Sequence, residues 1–320
     1  MRTLYKLDKY ISHAFSYMLS SLPSLIILTF HHIFENDSER STSTLFPQHG
    51  ITVNEFTVLL SYLMNSGYSF ISPADLTQNY NTSKNEILIT FDDGYYNNMQ
   101  AIKILNSYKI PSIIFITTNN IKYNRAFWWD VLYREYRQRG FDHDYIERRR
   151  KSLKHECVHT IYENFAKKFG ENAITPRSDL DRPLTESELK QLSDYSNVYI
   201  GNHTADHEII TRISHEEMIR QIENSQEYLM KVTGNKSQYF AFPNNKYNPE
   251  IMQSLKKFDI QFSFTMDERK NYFPLQRDID RTIILNRFTF NGTKNIARQM
   301  RSIRSDIHML SWMKTWKNRY

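Results

Sequence analysis

Two adjacent aspartates, Asp92 and Asp93, directly follow an apolar run in the stretch EILITFDDGYYNN, residues 86–98. The run has the apolar clustering of a buried strand, which predicts that both carboxylates lie where that strand ends. Two like charges at one strand end repel each other and resist burial, so the pair requires a compensating group. A neighbouring arginine, water or a metal ion would each supply that compensation.

Two histidines, His203 and His207, follow a second short strand in the stretch VYIGNHTADHE, residues 198–208. This spacing places both imidazoles on one face of a helical turn, and on a loop it still allows them to converge. One carboxylate and two histidines, with coordination positions left open, form a minimal catalytic site for Zn²⁺ or a similar divalent metal. The alternative is a tight turn at the aspartates and two surface histidines.

Alternating strand and helix signals surround these motifs. Strands are predicted at 25–31, 86–91, 112–118, 198–202, 238–242 and 283–290. Helices are predicted at 54–65, 97–108, 185–193, 215–231 and 248–257. This alternation favours a mainly parallel α/β sheet or barrel. In a barrel, functional groups collect at the carboxyl ends of the strands, which is where both motifs fall.

The composition is that of a folded globular protein, because 40% of the 320 residues are hydrophobic. A single cysteine, Cys157, excludes an internal disulfide and a multi-cysteine zinc site. The chain contains neither of the common glycine-rich patterns that bind nucleotide phosphates. The net charge of +6 suits an anionic substrate or membrane surface, and no nucleic-acid-binding motif accompanies it.

Three segments depart from the barrel pattern. Residues 1–22 contain an amphipathic helix at 4–19, expected to dock on the protein, with membrane contact as the alternative. Residues 124–183 contain the sequence FWWD and a charged helical stretch that is too long for a connection, so they are predicted to be a helical insertion in a barrel of residues 23–291. Residues 292–320 form a basic amphipathic tail, either a solvated helix or a membrane-surface helix.

The motifs TFDDG and HTADH resemble the first two motifs of the polysaccharide deacetylases, the NodB-homology or carbohydrate esterase 4 family. The resemblance spans roughly residues 25–290 and implies a distorted (β/α) barrel of the NodB type. It implies that Asp92 is the general base and that Asp93, His203 and His207 bind the metal. It also implies a divalent metal, zinc first, with cobalt, nickel, manganese or iron as alternatives.

The same resemblance implies how an acetyl group would be hydrolysed. A metal beside Asp93 stabilises that carboxylate, lowers the pKa of bound water and polarises the acetyl carbonyl, while Asp92 takes the proton as water attacks. The metal and one backbone N–H hold the resulting oxyanion. By analogy that N–H belongs to Asn244, the residue after Pro243.

The third motif of the family is altered in this chain. FAFPNNKYN has Asn244 and Asn245 where the family pattern reads like FAYPYG, so sugar stacking on an aromatic side chain is lost there. The basic residue that steers the catalytic aspartate in many members is missing before the proline, and Arg287 is the candidate to replace it. Trp128 and Trp129 of FWWD, which recurs in similar surface-polysaccharide biosynthesis proteins, are expected to be packing or rim residues.

A general acid is also required, because an amide nitrogen leaves poorly unless it is protonated. The family usually supplies a late histidine in an L-x-x-H motif, and nothing after residue 260 fits. LTFH, ending in His31, matches the motif near the N-terminus, as in circularly permuted deacetylases, and a barrel tolerates permutation because its first and last strands are neighbours. His31 is therefore the predicted acid, with a strand-end histidine bonded to a backbone carbonyl as the alternative. His32 points to the other face and is predicted to be structural.

The sequence thus predicts a metal-dependent hydrolase that removes the N-acetyl group of a sugar in a bacterial surface polysaccharide or in its lipid- or nucleotide-linked precursor. The alternatives are an O-acetyl esterase on the same glycans, a carbohydrate-binding pseudoenzyme and, last, a metal-dependent glycosyltransferase. The chain has no clear signal peptide and no apolar run long enough to span a membrane. These features predict a cytoplasmic protein whose basic termini hold it near anionic lipid on the inner face of the membrane.

Overall fold

The computed structural model describes residues 23–42, 45–46, 50–77, 85–273, 275, 282–292 and 295–304 of the 320-residue chain. In chain order, the strands are β1 (Ser24–Phe30), β2 (His32–Phe34), β3 (Gly50–Thr52), β4 (Ser69–Phe70), β5 (Glu86–Phe91), β6 (Ser112–Ile116), β7 (Val198–Asn202), β8 (Tyr239–Ala241), β9 (Phe262–Thr265), β10 (Asn271–Tyr272), β11 (Ile283–Asn286) and β12 (Phe288–Thr289).

The helices follow the strands for most of the chain. They are α1 (Asp37–Thr42), α2 (Val53–Asn65), α3 (Met99–Ser107), α4 (Thr118–Lys122), α5 (Trp128–Gln138), α6 (His143–Leu153), α7 (Val158–Phe169), α8 (Glu186–Ser193), α9 (His215–Thr233), α10 (Pro249–Leu255) and α11 (Ile296–Arg304). Single 3-10 turns lie at Pro73–Thr77, Tyr96–Asn98, Glu171–Ile174, Pro243–Asn245 and Lys256–Phe258.

One large sheet forms the centre of the molecule, with the strand order β10-β1-β5-β6-β7-β8-β9-β11. Strand β11 pairs in parallel with β9, and β12 pairs in parallel with β1. Only Arg287 separates β11 from β12, so this one stretch of chain joins the two ends of the parallel sheet. The sheet is therefore a nearly closed, parallel-dominated barrel, which confirms the predicted distorted (β/α) barrel.

The core is divided by the alternation of side chains along the strands. In β1, Leu25 and Ile27 belong to one buried cluster with side chains of β5, β6, β8, β9 and β11, which is the filling of the barrel. Ile26 and Leu28 belong to a second cluster shared with α2, α3, α8 and α9, which is the layer between barrel and helices. Because both faces of β1 are covered, all seven of its residues are buried.

Residues 124–183 are helical, as predicted, and contain α5, α6 and α7. These helices pack around an apolar cluster of their own, to which Trp128 and Trp129 belong. Tyr95, which directly follows the TFDDG motif, is buried in the same cluster. The inserted helices are therefore attached to the barrel beside the two aspartates.

The two predicted terminal segments are described only in part. The amphipathic helix predicted at 4–19, with all of residues 1–22, lies outside the described residues, as do residues 305–320. The described part of the tail contains α11, whose side chains Met300 and Ile303 pack on the helical layer of the core. Within the described residues, no helix combines the length and the hydropathy needed to cross a membrane.

Candidate metal and catalytic site

The two motifs meet at the carboxyl edge of the barrel. Asp92 and Asp93 follow the last residue of β5, and His203 follows the last residue of β7, with β6 between these strands. The backbone N–H of Asp92 donates to the carbonyl of Phe30, and the N–H of His203 donates to the carbonyl of Ile116. Because parallel strands end at a common edge, the four functional side chains are brought together there.

Asp93, His203 and His207 form a compact group of donor atoms. The Oδ1 atom of Asp93 lies 3.6 Å from Nε2 of His203 and 3.4 Å from Nε2 of His207. One donor atom from each residue lies within 4.8 Å of the other two. The carboxylate oxygen Oδ1 of Asp93 is buried and accepts no hydrogen bond from any described residue.

The protonation of His203 can be read from its environment. Its Nδ1 lies 2.8 Å from the carbonyl oxygen of Ala241, and since a carbonyl only accepts, Nδ1 carries the proton. Burial lowers the pKa of His203 below its usual value, so the ring is neutral and Nε2 presents a lone pair. A lone pair then faces the unpartnered oxygen of Asp93, an arrangement that a shared cation stabilises.

The surroundings of Asp93 favour a bound cation. Burial, together with the negative charges of Asp92 and Asp130, raises the pKa of Asp93 well above its usual value. A divalent cation on Oδ1 would reverse this effect and keep the carboxylate ionised. Two neutral imidazoles and one carboxylate are a donor set that zinc and neighbouring transition metals accept, so the residues fit a bound divalent metal.

His207 is held differently from His203. Its Nδ1 is buried without a hydrogen-bond partner among the described residues, while its ring packs at 61° against Trp129, with centroids 4.9 Å apart. The indole N–H of Trp129 donates to the hydroxyl of Tyr95 at 2.8 Å, and that hydroxyl donates to Asp130 at 2.6 Å. Ring packing thus takes the place of the hydrogen bond that orients His203.

The backbone at the site is strained. Asp93, Thr204 and His207 adopt φ values of 74°, 68° and 60°, in the left-handed region that residues other than glycine rarely enter. Such a conformation costs roughly 1–3 kcal/mol and persists only where the surroundings impose it. Two of the three donor side chains of the cluster therefore come from strained positions.

Asp92 has a different partner from Asp93. Both its oxygens accept hydrogen bonds from Arg287, at 2.6 and 2.9 Å, and Arg287 is completely buried. Burial alone would raise the pKa of Asp92, but the charge of Arg287 and its hydrogen bonds hold the pKa at about 2. The pairing of Arg287 with Asp92 is therefore confirmed, and it supplies the compensating charge for one member of the aspartate pair.

His31 lies at the same edge. The register pairs Phe30 with Phe91, and the next residues along β1 and β5 are His31 and Asp92. The charge of His31 contributes to lowering the pKa of Asp92 and of His207. The amide of Asn98 donates to the carbonyl of His31 at 2.7 Å and fixes the backbone there.

His32 does not join the catalytic group. Its ring is buried against Tyr95, at a centroid distance of 4.2 Å, and against Phe34. Burial and the charge of His31 lower the pKa of His32 to about 3, so it is neutral at ordinary pH. Its environment is that of a packing residue.

The altered third motif forms a 3-10 turn, Pro243–Asn245, after β8. Asn244 and Asn245 both have left-handed backbone angles, with φ of 53° and 54°, which asparagine tolerates better than most residues. The side chain of Asn245 bridges to the backbone of Met266 and to Asp267. The side chain of Asn244 accepts a hydrogen bond from Lys154, which belongs to the insertion.

Sequence reasoning missed two contacts that the insertion makes at the site, from Trp129 to His207 and from Lys154 to Asn244. Trp128 and Trp129 were expected to be packing or rim residues; both are buried, and Trp129 also packs on His207. The FWWD sequence was the available signal, although it does not say which side chain is contacted. Lys154 had no signal at all, because it lies in a stretch of charged residues typical of a solvated helix.

Known polysaccharide deacetylases resemble this chain in sequence. A family model for polysaccharide deacetylase matches residues 79–263, which is more than half of the chain. The chain belongs to the polysaccharide deacetylase family. The Bacillus subtilis (strain 168) protein YxkH, whose name assigns it to the polysaccharide deacetylases, is 21% identical over 248 residues, or 76% of this chain. The alignment covers 64% of that relative, so this chain matches less than two thirds of its length.

Solved structures of deacetylases share the fold of this family member. The Streptococcus pyogenes deacetylase PplD, in complex with acetate, has a TM-score of 0.59 at 16% identity, over 89% of this chain and 99% of that one. The Bacillus cereus polysaccharide deacetylase BC0361 has a TM-score of 0.57 at 18% identity, over 88% and 69%. IcaB from Ammonifex degensii has a TM-score of 0.57 at 16% identity, over 89% and 100%. At these identities the likeness establishes the barrel fold.

Proposed function

We propose that this chain is a metal-dependent hydrolase that removes the N-acetyl group of a sugar in a bacterial surface polysaccharide or in its lipid- or nucleotide-linked precursor. Membership of the polysaccharide deacetylase family supports a deacetylase. The observation that carries the proposal is the convergence of Asp93, His203 and His207 on one point beside a second, separately ionised carboxylate, Asp92.

The three converging side chains are the proposed metal ligands. We propose zinc as the metal, with cobalt, nickel, manganese or iron able to occupy the same donors. When bound, the metal would act as a Lewis acid on the acetyl carbonyl and lower the pKa of water. His203 offers Nε2 because its Nδ1 proton is committed to Ala241, and His207 offers Nε2 from a ring held by Trp129.

Asp92 is the proposed general base. Its carboxylate is ionised at any ordinary pH, and each oxygen that accepts a bond from Arg287 keeps a second lone pair. Asp92 accepts a proton from the attacking water while the water oxygen bonds to the acetyl carbon. Arg287 keeps the carboxylate oriented during this transfer, because a bidentate pair fixes its plane.

His31 is the proposed general acid, and Asn244 the proposed oxyanion donor. As the carbon–nitrogen bond breaks, His31 gives a proton to the departing nitrogen, so that acetate and a free amino sugar result. His31 is supported as the acid by its position at the end of β1, next to Asp92 at the end of β5. Asn244 is supported as the oxyanion donor by its position on the turn after β8, since Ala241 at the end of that strand orients His203. The backbone N–H of Asn244 would stabilise the tetrahedral oxyanion.

The cellular site is a further part of the proposal. We propose that the protein works at the cytoplasmic face of the membrane on a precursor glycan, where its basic tail would favour anionic lipid. The sequence of α11, IARQMRSIR, has three arginines and no acidic residue, which supports this placement.

The proposal is tested by comparing the cell's surface glycan, or its lipid-linked precursor, in the presence of the wild-type protein and of Asp92→Asn. We expect the Asp92→Asn glycan to gain acetyl groups, because loss of a general base slows hydrolysis by about 10²–10⁴-fold. Mass analysis before and after mild alkali, which removes O-acetyl but not N-acetyl groups, shows whether the gained acetyl groups are linked to nitrogen or to oxygen. Asp194→Asn, on the exposed end of α8, is the matched control and should leave the glycan unchanged. An unchanged acetyl content in Asp92→Asn would contradict the proposal.

A further inference from the structure

Lys154 lies next to the candidate site although it belongs to the insertion. It directly follows α6, and its ammonium group donates to Oδ1 of Asn244, on the turn that follows β8. Its charge also contributes to lowering the pKa of His207, one of the proposed metal ligands. The insertion therefore places one cation beside the turn that carries Asn244, the proposed oxyanion donor.

Hydrogen bonds hold both the backbone and the side chain of Lys154. Arg212 donates from Nη1 to the backbone carbonyl of Lys154 at 2.6 Å, while the ammonium group is held by Asn244. A lysine at a helix end commonly bonds to the last carbonyls of its own helix or extends into solvent. Lys154 does neither, since it reaches across to the turn after β8.

Lys154 forms no ion pair with the described residues. Among the residues that the structure describes, no carboxylate oxygen lies within 4.0 Å of its ammonium group, whereas nearby Arg150 and Lys151 both pair with Glu147. Burial and the charge of Arg150 lower the pKa of Lys154 to about 8. A partly buried cation whose bonded partner is a neutral amide is costly, and two of its three N–H donors remain for another partner.

We propose that Lys154 is a substrate-binding residue that contacts an anionic group, a phosphate or a carboxylate, on the sugar that is deacetylated. The inference rests on the proposed function and names the class of its substrate. The surroundings favour an anion, because Arg150 and Arg212 add positive charge around Lys154 and Glu147 is the one acidic group among its main electrostatic partners.

The test compares N-acetylated sugars that carry a phosphate, a carboxylate or no anionic group. N-acetylglucosamine 1-phosphate, the methyl glycoside of an N-acetylated aminouronic acid and the neutral methyl N-acetylglucosaminide are assayed for acetate release with the wild type, Lys154→Met and Lys151→Met. Lys151 is the matched control, because it lies three residues before Lys154 in the last turn of α6, is 68% exposed and already pairs with Glu147. The two anionic substrates distinguish phosphate from carboxylate as the group that is bound.

We expect Lys154→Met to raise KM for an anionic substrate by roughly 10- to 100-fold, the effect of losing one hydrogen bond to a charged group. The KM of Lys154→Met for the neutral substrate should equal that of the wild type. The KM of Lys151→Met should equal that of the wild type for all three substrates. An equal fall in kcat on neutral and anionic substrates would overturn the inference, because Lys154 would then act on the acetyl group. No change with any substrate would overturn it as well.

A binding measurement separates this inference from the proposed function. Inorganic phosphate is titrated calorimetrically into chelator-treated protein, so that a bound metal does not contribute. Weaker phosphate binding by Lys154→Met than by wild type and Lys151→Met would support the inference, and equal binding by all three would overturn it. If the wild type hydrolyses none of the three sugars, the phosphate titration alone decides the inference, and the glycan comparison with Asp92→Asn still decides the proposed function.

Discussion

Two neighbouring carboxylates acquire opposite properties from their partners. Asp92 faces the guanidinium of Arg287 and has a pKa of about 2, whereas Asp93 faces two imidazoles and has a raised pKa. This difference in pKa suits two different roles, in which one carboxylate accepts a proton and the other binds a cation. The sequence signal for this was the adjacent pair itself, since two buried like charges cannot share one environment.

The Asp92–Arg287 pair makes a testable contribution to stability. Both side chains are buried, at 3% and 0% exposure, so Arg287→Met leaves an uncompensated carboxylate and should lower the free energy of unfolding by about 3–5 kcal/mol. The double variant with Asp92→Asn removes that charge and should recover part of the loss. Urea unfolding of the wild type, both single variants and the double variant measures the coupling. Additive effects of the two substitutions would contradict a direct pair.

At the scale of elements, the insertion supports the site. The helix α5 begins with Trp128 and Trp129, and the second of these packs on His207. Glu208, the next residue after His207, accepts the N–H of Val158 at the start of α7 at 2.6 Å. Helices α5 and α7 thus contact the loop that carries the proposed ligand His207, although that loop is distant from both helices in the sequence.

Trp129 should therefore affect metal binding. Trp129→Ala removes the ring that orients His207, and we expect zinc affinity to fall about 10- to 100-fold, the usual effect of losing a group that orients a ligand. Tyr95→Phe keeps all the rings and removes only the hydroxyl between Trp129 and Asp130, so it should have a smaller effect. Competition with a chromogenic chelator gives both affinities. Equal zinc affinity in Trp129→Ala and wild type would show that ring packing does not hold His207.

Sequence patterns predicted long elements better than short ones. The helix predicted at 185–193 is observed as Glu186–Ser193, and the helix predicted at 54–65 is observed as Val53–Asn65. Strand β9, with only the residues FSFT, was missed because four residues give too little alternation to be recognised. The contacts of Trp129 and Lys154 could not be predicted, since they depend on how the insertion folds back onto the barrel.

At the scale of the whole molecule, the closure of the barrel places the proposed acid. β1 pairs with β5 on one side and with β12 on the other, so the first strand of the described chain lies beside the last. His31 at the end of β1 and Arg287 between β11 and β12 therefore approach Asp92 from opposite ends of the sequence. The motif LTFH predicted this arrangement. The family usually carries the motif late in the chain, so an early copy can reach the same site only if the first and last strands are neighbours.

The buried His32 predicts how stability depends on pH. Its pKa is about 3 in the folded protein, against 6.5 for an unperturbed histidine, so below pH 6.5 the unfolded chain gains a proton that the folded protein does not bind. Protonation of His32 in the unfolded chain therefore lowers the free energy of unfolding progressively as the pH falls from 6.5 toward 3, and has no such effect above pH 6.5.

His32→Phe, which keeps a ring against Tyr95 and Phe34, should lose this dependence. Between pH 7 and pH 5 the stability of the wild type should fall by about 2 kcal/mol more than that of the variant. Urea unfolding at both pH values, with zinc present for both proteins, measures the difference. Parallel pH profiles would contradict the neutral, buried state of His32.

The most direct test of a single-metal hydrolase is a zinc titration of acetate release. Protein freed of metal by chelation is given increasing zinc, and acetate from an N-acetylglucosamine oligomer is measured at each point. We predict no release without zinc, a linear rise, and a plateau at about one equivalent per chain, with no recovery in His203→Ala. Acetate release that is unaffected by chelation, or equal in His203→Ala, would contradict the convergence of Asp93, His203 and His207 on a catalytic metal.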